Sequence, residues 1–287
     1  MLRLLKRWLA PWLPYSWREW LKRRLENRIS GGPLCQIEVT TEPDAVRCTF
    51  DREWSFRAPL DCAYDFSFLT DSRFLQAEFS GLARGARQGG VLFDIGAYAG
   101  IVSALFCAAR PHNRAFSFEP SPLSQARVQA IRALNGFQDR MQLEPVAIGR
   151  EKATLEMLVD PAGGMMQVQR FKHSMWAEPQ VIQVAVETIP GASARLGVVP
   201  DFIKLDIEGY EYEAIDGAVD FLREHRPLIF LELHLNYLDE RGLSARHVVE
   251  QLAGCGYRFT TSGGEPLSPR AVYGSPLQNI RLLARAD

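Results

Sequence analysis

The chain has 287 residues, of which 47% are hydrophobic, 23% charged and 10% aromatic. That composition excludes a disordered, collagenous or disulfide-scaffold protein, and the length supplies one large domain with appendages or two small ones. Lysine and arginine number 33 against 34 aspartates and glutamates, which argues against a strongly basic nucleic-acid binder. The balance hides an asymmetry, because residues 1–30 carry a net charge of +6 and the remainder −7. Five cysteines without a CxxC pair favour a reducing compartment over a zinc ribbon or a disulfide framework. No stretch reaches the roughly 18–20 apolar residues of a membrane span. Arg3, Lys6, Arg7, Pro11 and Pro14 interrupt the first residues too often for a signal peptide, so a cytoplasmic body is expected.

Residues 1–32 read as a basic, amphipathic helical arm. Leu2, Leu5, Leu9 and Trp12 share a face before Pro11 and Pro14 break the pattern. Ser16 and Glu19 then form a capping box, and Trp17, Trp20, Leu21, Leu25 and Ile29 continue at helical spacing to Gly31-Gly32. Four of the six tryptophans lie in the first 20 residues, among the cations. Indole rings at headgroup depth and cations facing anionic lipid suit an interfacial helix. The arm is therefore expected to dock peripherally on the inner face of a membrane. The alternative is an extension packed on the body or on a second subunit.

Residues 33–89 form a small β/α extension, with strands expected at Leu34–Thr40, Val46–Phe50 and Trp54–Arg57 and a helix over 65–84. From 91 onward apolar strands alternate with helices. Val91–Ile95 is a strand and 98–110 a helix; Ala115–Phe118 is a strand, followed by helix 122–135 and strand 141–148. An insertion over 150–190 holds strands 153–159 and 180–187 around the Gly163-Gly164-Met165-Met166 loop. Strand Phe202–Ile207, helix 210–224, strand Leu228–Leu233, helix 243–254 and strands near Tyr257–Thr261 and Asn279–Ala284 complete the pattern. Alternation of this kind predicts an α/β, doubly wound, mostly parallel sheet over 90–287, with its ligands at the carboxyl ends of the strands.

Three motifs fall at such ends. Asp94-Ile95-Gly96-Ala97-Tyr98-Ala99-Gly100 follows the first strand of this region, its glycines allowing a tight turn and close approach to a ligand. The spacing is D-x-G-x-x-x-G; the G-x-G-x-x-G of an NAD-type oxidoreductase is absent. An aspartate there would repel a pyrophosphate and suits the cationic end of S-adenosylmethionine. Glu119-Pro120 ends the next strand, 25 residues after Asp94, where a carboxylate can accept both hydroxyls of an adenosyl ribose. Asp201–Glu211 delivers Asp206 and Glu208 to the same edge, with Lys204 placed to neutralise one of them.

The runs FDIGAYAG (93–100), FEPSP (118–122), VAIG (146–149), DFIKLDIEGYE (201–211), AIDGAVDFL (214–222) and RPLIFLEL (226–233) resemble the FkbM family of S-adenosylmethionine-dependent methyltransferases. The resemblance covers roughly 90–285 and leaves the arm outside. It implies a class I methyltransferase (Rossmann-like) fold and O-methylation of a hydroxyl-bearing acceptor such as a carbohydrate, glycan or glycolipid. By position it implies that Asp94, Gly96, Ala97, Tyr98 and Gly100 form the cofactor loop. Glu119 and Pro120 then hold the ribose, and Asp206 and Glu208 lie beside cofactor and acceptor. Tyr98 stands where the family often has asparagine.

A sugar hydroxyl is a poor nucleophile and benefits from a general base. Glu208, Asp206 and His234, which follows the strand ending at Leu233, are the candidates. His173 in the insertion is placed to meet the acceptor. No HExxH motif occurs and the carboxylates at these strand ends are not at helical i, i+4 spacing, so no metal is expected. No nucleic-acid partner is expected either, since the Asn/Asp-Pro-Pro-aromatic tetrad of nucleic-acid methyltransferases is absent and the body is acidic. The reading from another class is a non-catalytic, membrane-docked module that keeps the fold.

Overall fold

The computed structural model describes residues 34–63, 65–66, 73–160, 165–169 and 178–286. The arm 1–32, Gly163, Gly164 and His173 lie outside the described residues. Three short strands, β1 (Ile37–Thr41), β2 (Val46–Phe50) and β3 (Trp54–Ala58), form an antiparallel sheet and lead to helix α1 (Arg73–Ala86). The alternating region follows: β4 (Val91–Ile95), α2 (Ile101–Ala109), β5 (Arg114–Phe118), α3 (Pro122–Leu134) and β6 (Met141–Glu144). Next come β7 (Ala147–Ile148), β8 (Ala153–Val159), β9 (Met166–Gln167), β10 (Gln180–Glu187) and α4 (Ile189–Leu196). The chain continues with β11 (Phe202–Leu205), α5 (Glu211–Asp216), α6 (Val219–His225), β12 (Leu228–Leu233), α7 (Leu235–Glu240) and α8 (Ala245–Gly254). It closes with β13 (Tyr257–Thr260), β14 (Pro266–Leu267), α9 (Pro269–Tyr273) and β15 (Ile280–Ala286).

The main sheet has eight strands in the order β14-β13-β15-β12-β11-β4-β5-β6. Strands β12, β11, β4, β5 and β6 run parallel, and β15 runs against both β12 and β13. The chain starts at a central strand, winds outward to β6, and returns to wind the other way. This is the doubly wound, mostly parallel sheet expected above. Its central strands are mostly apolar because helices cover both faces, with Asp94, Lys204 and Glu232 as charged exceptions towards their carboxyl ends. On one face Phe93, Ile95, Ile203 and Leu205 pack with α5, α6 and α8 through Ile215, Leu222, Val248 and Leu252. On the other, Leu92, Ala115, Phe202 and Phe230 pack with α1, α2 and α3 through Leu82, Leu105 and Ile131. The antiparallel sheet joins this second core through Val46, Cys48, Phe50 and Phe56. Asn135 ties it down. Its Nδ2 donates to the Arg57 carbonyl and its Oδ1 accepts from the Arg57 N–H, each at 2.7 Å, as a strand neighbour would.

Several expected elements are corrected. The strand expected over 141–148 is two strands, split at Pro145, which has no N–H to continue the ladder. The second piece, β7, leaves the main sheet and pairs in parallel with β10, giving the insertion a four-stranded sheet of order β7-β10-β8-β9. The helix expected over 210–224 is broken between α5 and α6. Gly217 sits there against the Arg150 backbone, where a Cβ would come within 2.5 Å of the Arg150 carbonyl oxygen. Helix α7 directly after His234 was not expected, nor were α4 and α9. Among the described residues, no helix is long and apolar enough to cross a membrane.

Candidate active site

The carboxyl ends of β4, β5 and β11 surround a cavity of about 290 Å³. Gly96, Tyr98, Glu119, Pro120, Asp206 and Glu208 line it, together with Met157, Met165 and Met166 from the insertion. Ala97, Gly100, Asp94 and His234 are not part of the wall. The floor is stitched from main chain: the Gly96 and Ala97 N–H groups both donate to the Phe118 carbonyl, and the Asp206 N–H donates to Ile95. Gly96, with φ +77°, backs onto β11 so closely that a Cβ would lie 1.9 Å from the Asp206 carbonyl oxygen. Its lack of a side chain thus serves the approach of two strand ends, a demand beyond the tight turn and ligand approach expected from the sequence.

Asp94 is placed differently from expectation. It is buried, and its Oδ2 accepts from the Ser103 N–H at 3.0 Å and hydroxyl at 2.7 Å, so it anchors the start of α2 instead of facing the cavity. Burial pushes its carboxyl up, against the pull of Lys204 and Ser103. Glu119 does face the cavity. Its Oε2 accepts from the Tyr98 N–H at 2.7 Å and its Oε1 from the Ser121 N–H at 2.8 Å. Burial nevertheless pushes this carboxyl up to about 7, against those two N–H groups. Tyr98 holds the left-handed φ of 50°, and its hydroxyl accepts from Arg127 at 3.1 Å.

The acids after β11 meet the end of β12. Lys204 donates to Asp206 Oδ2 at 2.6 Å, the structural pairing expected of it. Burial opposes the charge on Asp206, but Lys204 and then His234 outweigh it and hold the carboxyl down at about 2. Glu208 sits at φ 54°. Burial raises its carboxyl, opposed by His234. Glu211, fully buried at the start of α5, accepts from the Ile207 and Gly209 N–H groups and lies 2.8 Å from His234 Nδ1. His234 Nε2 stands 3.7 Å from Glu232, 3.8 Å from Glu208 and 3.9 Å from Asp206. Burial disfavours the imidazolium, but Glu211, Glu208 and Glu232 overcome this and raise its pKa to about 10. The surrounding carboxylates therefore favour positive charge at Nε2, a proton or another cation, over the free base expected from the sequence. Burial and Asp206 push Glu232 up to about 7 despite Arg281 and His234.

Sequence reasoning missed four contributors. Glu211 organises the 206–210 turn, Arg127 holds Tyr98, and Tyr237 stacks on His234 with ring centroids 5.3 Å apart. Gln167 Nε2 donates to the Tyr237 hydroxyl at 3.3 Å. Only Glu211 carried a signal, as an acid in the first turn of a helix directly after an acidic strand end.

Residues 94–259 match the family model of the Methyltransferase FkbM domain, more than half of the chain. The chain belongs to the FkbM methyltransferase family. Solved structures similar to it include the methyltransferase FkbM of Methylobacillus flagellatus KT, at 16% identity and a TM-score of 0.41, covering 69% of this chain and 43% of that one. This chain thus spans less than half the length of that protein. The SAM-dependent methyltransferase of Agrobacterium tumefaciens is similar at 12% identity and a TM-score of 0.39, covering 86% and 75%. The precorrin-6y C5,15-methyltransferase of Geobacter metallireducens GS-15 is similar at 13% and 0.37, covering 72% and 86%. No curated protein matches the chain. Family membership rests on the sequence match, and the match begins at Asp94, the residue that opens the glycine turn.

The approach of Gly96 to Asp206 yields a stability test. Gly96→Ala is expected to destabilise the protein by at least about 2 kcal/mol, through a strained positive φ and a collision with backbone that cannot move aside. A denaturation midpoint equal to wild type would contradict the close approach.

Proposed function

We propose that this FkbM-family chain transfers the methyl group of S-adenosylmethionine to a hydroxyl of a carbohydrate, glycan or glycolipid-type acceptor. The observation that carries the reading is the convergence of Glu119, Asp206 and Glu208 on one cavity beside the glycine turn. The residues fit an adenosyl cofactor. Two N–H groups occupy two of the roughly four lone-pair positions of the Glu119 carboxylate, which leaves capacity for ribose hydroxyls. Gly96, Tyr98, Pro120 and Ile148 supply backbone and apolar wall beside it. When bound, the cofactor supplies an electrophilic methyl group on a sulfonium.

The chain's own residues orient the acceptor and take its proton. Methyl transfer is an in-line displacement, so orientation supplies much of the rate. Glu208 lines the cavity and is the base in this reading, accepting the hydroxyl proton while the positive charge held at His234 Nε2, 3.8 Å away, steadies its own. The methionines of the insertion give an adaptable apolar cover that excludes water. The basic, tryptophan-rich residues 1–30 favour an acceptor presented at an anionic membrane surface.

Ribose hydroxyls bond to the charged form of Glu119, whose carboxyl titrates near 7 in the free site. Cofactor affinity is therefore expected to rise with pH through neutrality. Glu119→Ala should weaken binding by about 2–3 kcal/mol at alkaline pH and flatten that dependence. Calorimetry checks both, and equal affinity at low and high pH in the wild type would refute the assignment. Glu208→Gln is expected to lower kcat by at least about 100-fold with cofactor affinity unchanged. Full turnover in that variant would move the base elsewhere. Deleting 1–30 should abolish sedimentation with anionic vesicles while leaving cofactor binding intact, and equal sedimentation of both proteins would refute membrane docking.

A further inference from the structure

The side chains at the ends of β11 and β12 are arranged about a common point. Asp206, Glu232 and His234 each offer one ligand atom, and these atoms lie within 4.8 Å of one another. Each of the three is oriented from behind. Lys204 holds Asp206 Oδ2, Arg281 holds Glu232 Oε2 at 2.5 Å, and Glu211 holds His234 Nδ1 at 2.8 Å. The opposite atoms, Asp206 Oδ1, Glu232 Oε1 and His234 Nε2, face one another; Asn279 also donates to Glu232 Oε1.

The imidazole supplies the independent observation. His234 is 6% exposed, yet its Nε2 has no hydrogen-bond partner among the described residues and stands off three carboxylates at 3.7, 3.8 and 3.9 Å. A simple hydrogen bond would close on one partner at about 2.8 Å. Ligands sharing one ion at about 2.1 Å lie about 3.0–3.5 Å apart, so a contraction of about half an ångström would bring His234 Nε2 to that spacing from Glu232 and Asp206. A histidine whose second nitrogen is fixed by a carboxylate is the usual second shell of a metal-bound imidazole. One nitrogen with carboxylate oxygens suits Mn²⁺ or Zn²⁺ better than Mg²⁺ or Ca²⁺.

We propose that Asp206, Glu232 and His234 bind one first-row divalent cation of the Mn²⁺ or Zn²⁺ class at the carboxyl ends of β11 and β12. The expectation of no metal looked for ligands along one helix, whereas these come from the ends of two neighbouring parallel strands. Asp206 also lines the cavity, so the cation lies beside it and polarises an acceptor hydroxyl there. That role rests on the methyl-transfer reading; the binding itself does not.

The test uses the full chain, untagged, stripped with chelator and titrated with MnCl₂, with free Mn²⁺ followed by electron paramagnetic resonance. One Mn²⁺ per chain is expected, with a Kd below about 0.1 mM. Spin-echo modulation of the bound ion should show one imidazole nitrogen. His234→Gln should remove that nitrogen signal and weaken binding at least about 30-fold. No bound Mn²⁺ at about 1 mM, or bound Mn²⁺ without nitrogen coupling in the wild type, would overturn the proposal without recourse to any variant. Because the readout is binding, failed methyl transfer with Mn²⁺ retained would refute the reaction and leave the cation site standing.

Discussion

Gly96 and the carbonyl of Asp206 approach so closely that no side chain fits between them. This contact locks the exits of two adjacent parallel strands, β4 and β11, against each other, and the Asp206 N–H bond to Ile95 extends the ladder one residue beyond the strand. The Gly96 and Ala97 N–H groups stitch the same turn to Phe118 at the end of β5. Tyr98, Glu119, Asp206 and Glu208 all leave from these three exits. Their spacing is therefore set by main-chain contacts, which are stiffer than side-chain packing, and a change in the glycine would displace them together.

The same edge concentrates charge that stability alone would not place there. Asp206, Glu208, Glu211 and Glu232 crowd around His234, with Lys204 and Arg281 as the other cations. Buried ions lose hydration, and pairing returns it only when geometry is good. Here most oxygens find partners, while Asp94 Oδ1 and Glu211 Oε2 find none among the described residues. Tyr98 and Glu208 also hold left-handed backbone, uncommon for residues with a Cβ. Left-handed backbone and unpartnered acidic oxygens gathered at one sheet edge fit a chemical role better than a purely structural one.

The parts outside the alternating pattern shape this edge without supplying its acids. The insertion sheet adds methionines to the cavity wall, and its β10 connects back through Arg195, which pairs with both Glu187 and Glu144 at 2.7 Å. The antiparallel sheet β1–β3 packs on the second core and is clamped by Asn135 to the end of α3. It buttresses α2 and α3, the helices that follow the glycine turn and Glu119.

By itself the sequence determined the alternation of buried strands and helices, the doubly wound, mostly parallel sheet they build, and which exits carry acids. Val46–Phe50, Val91–Ile95 and Leu228–Leu233 were legible to the residue, the first by its alternation of buried and part-exposed residues and the other two as short, mostly apolar runs buried on both faces. Glu119, Asp206 and Glu208 were legible because polar residues directly after such strands stand out. The break at Gly217, the departure of β7 from the main sheet and the burial of Asp94 were not legible. Each depends on what another segment presses against it: Arg150, β10 and Ser103 respectively. The positive charge drawn to His234 belongs with them. A histidine after a strand reads the same whether or not three carboxylates surround it, and only the packing of β11, α5 and β12 brings Glu208, Glu211 and Glu232 to one imidazole, where their combined field outweighs the cost of burying its charge.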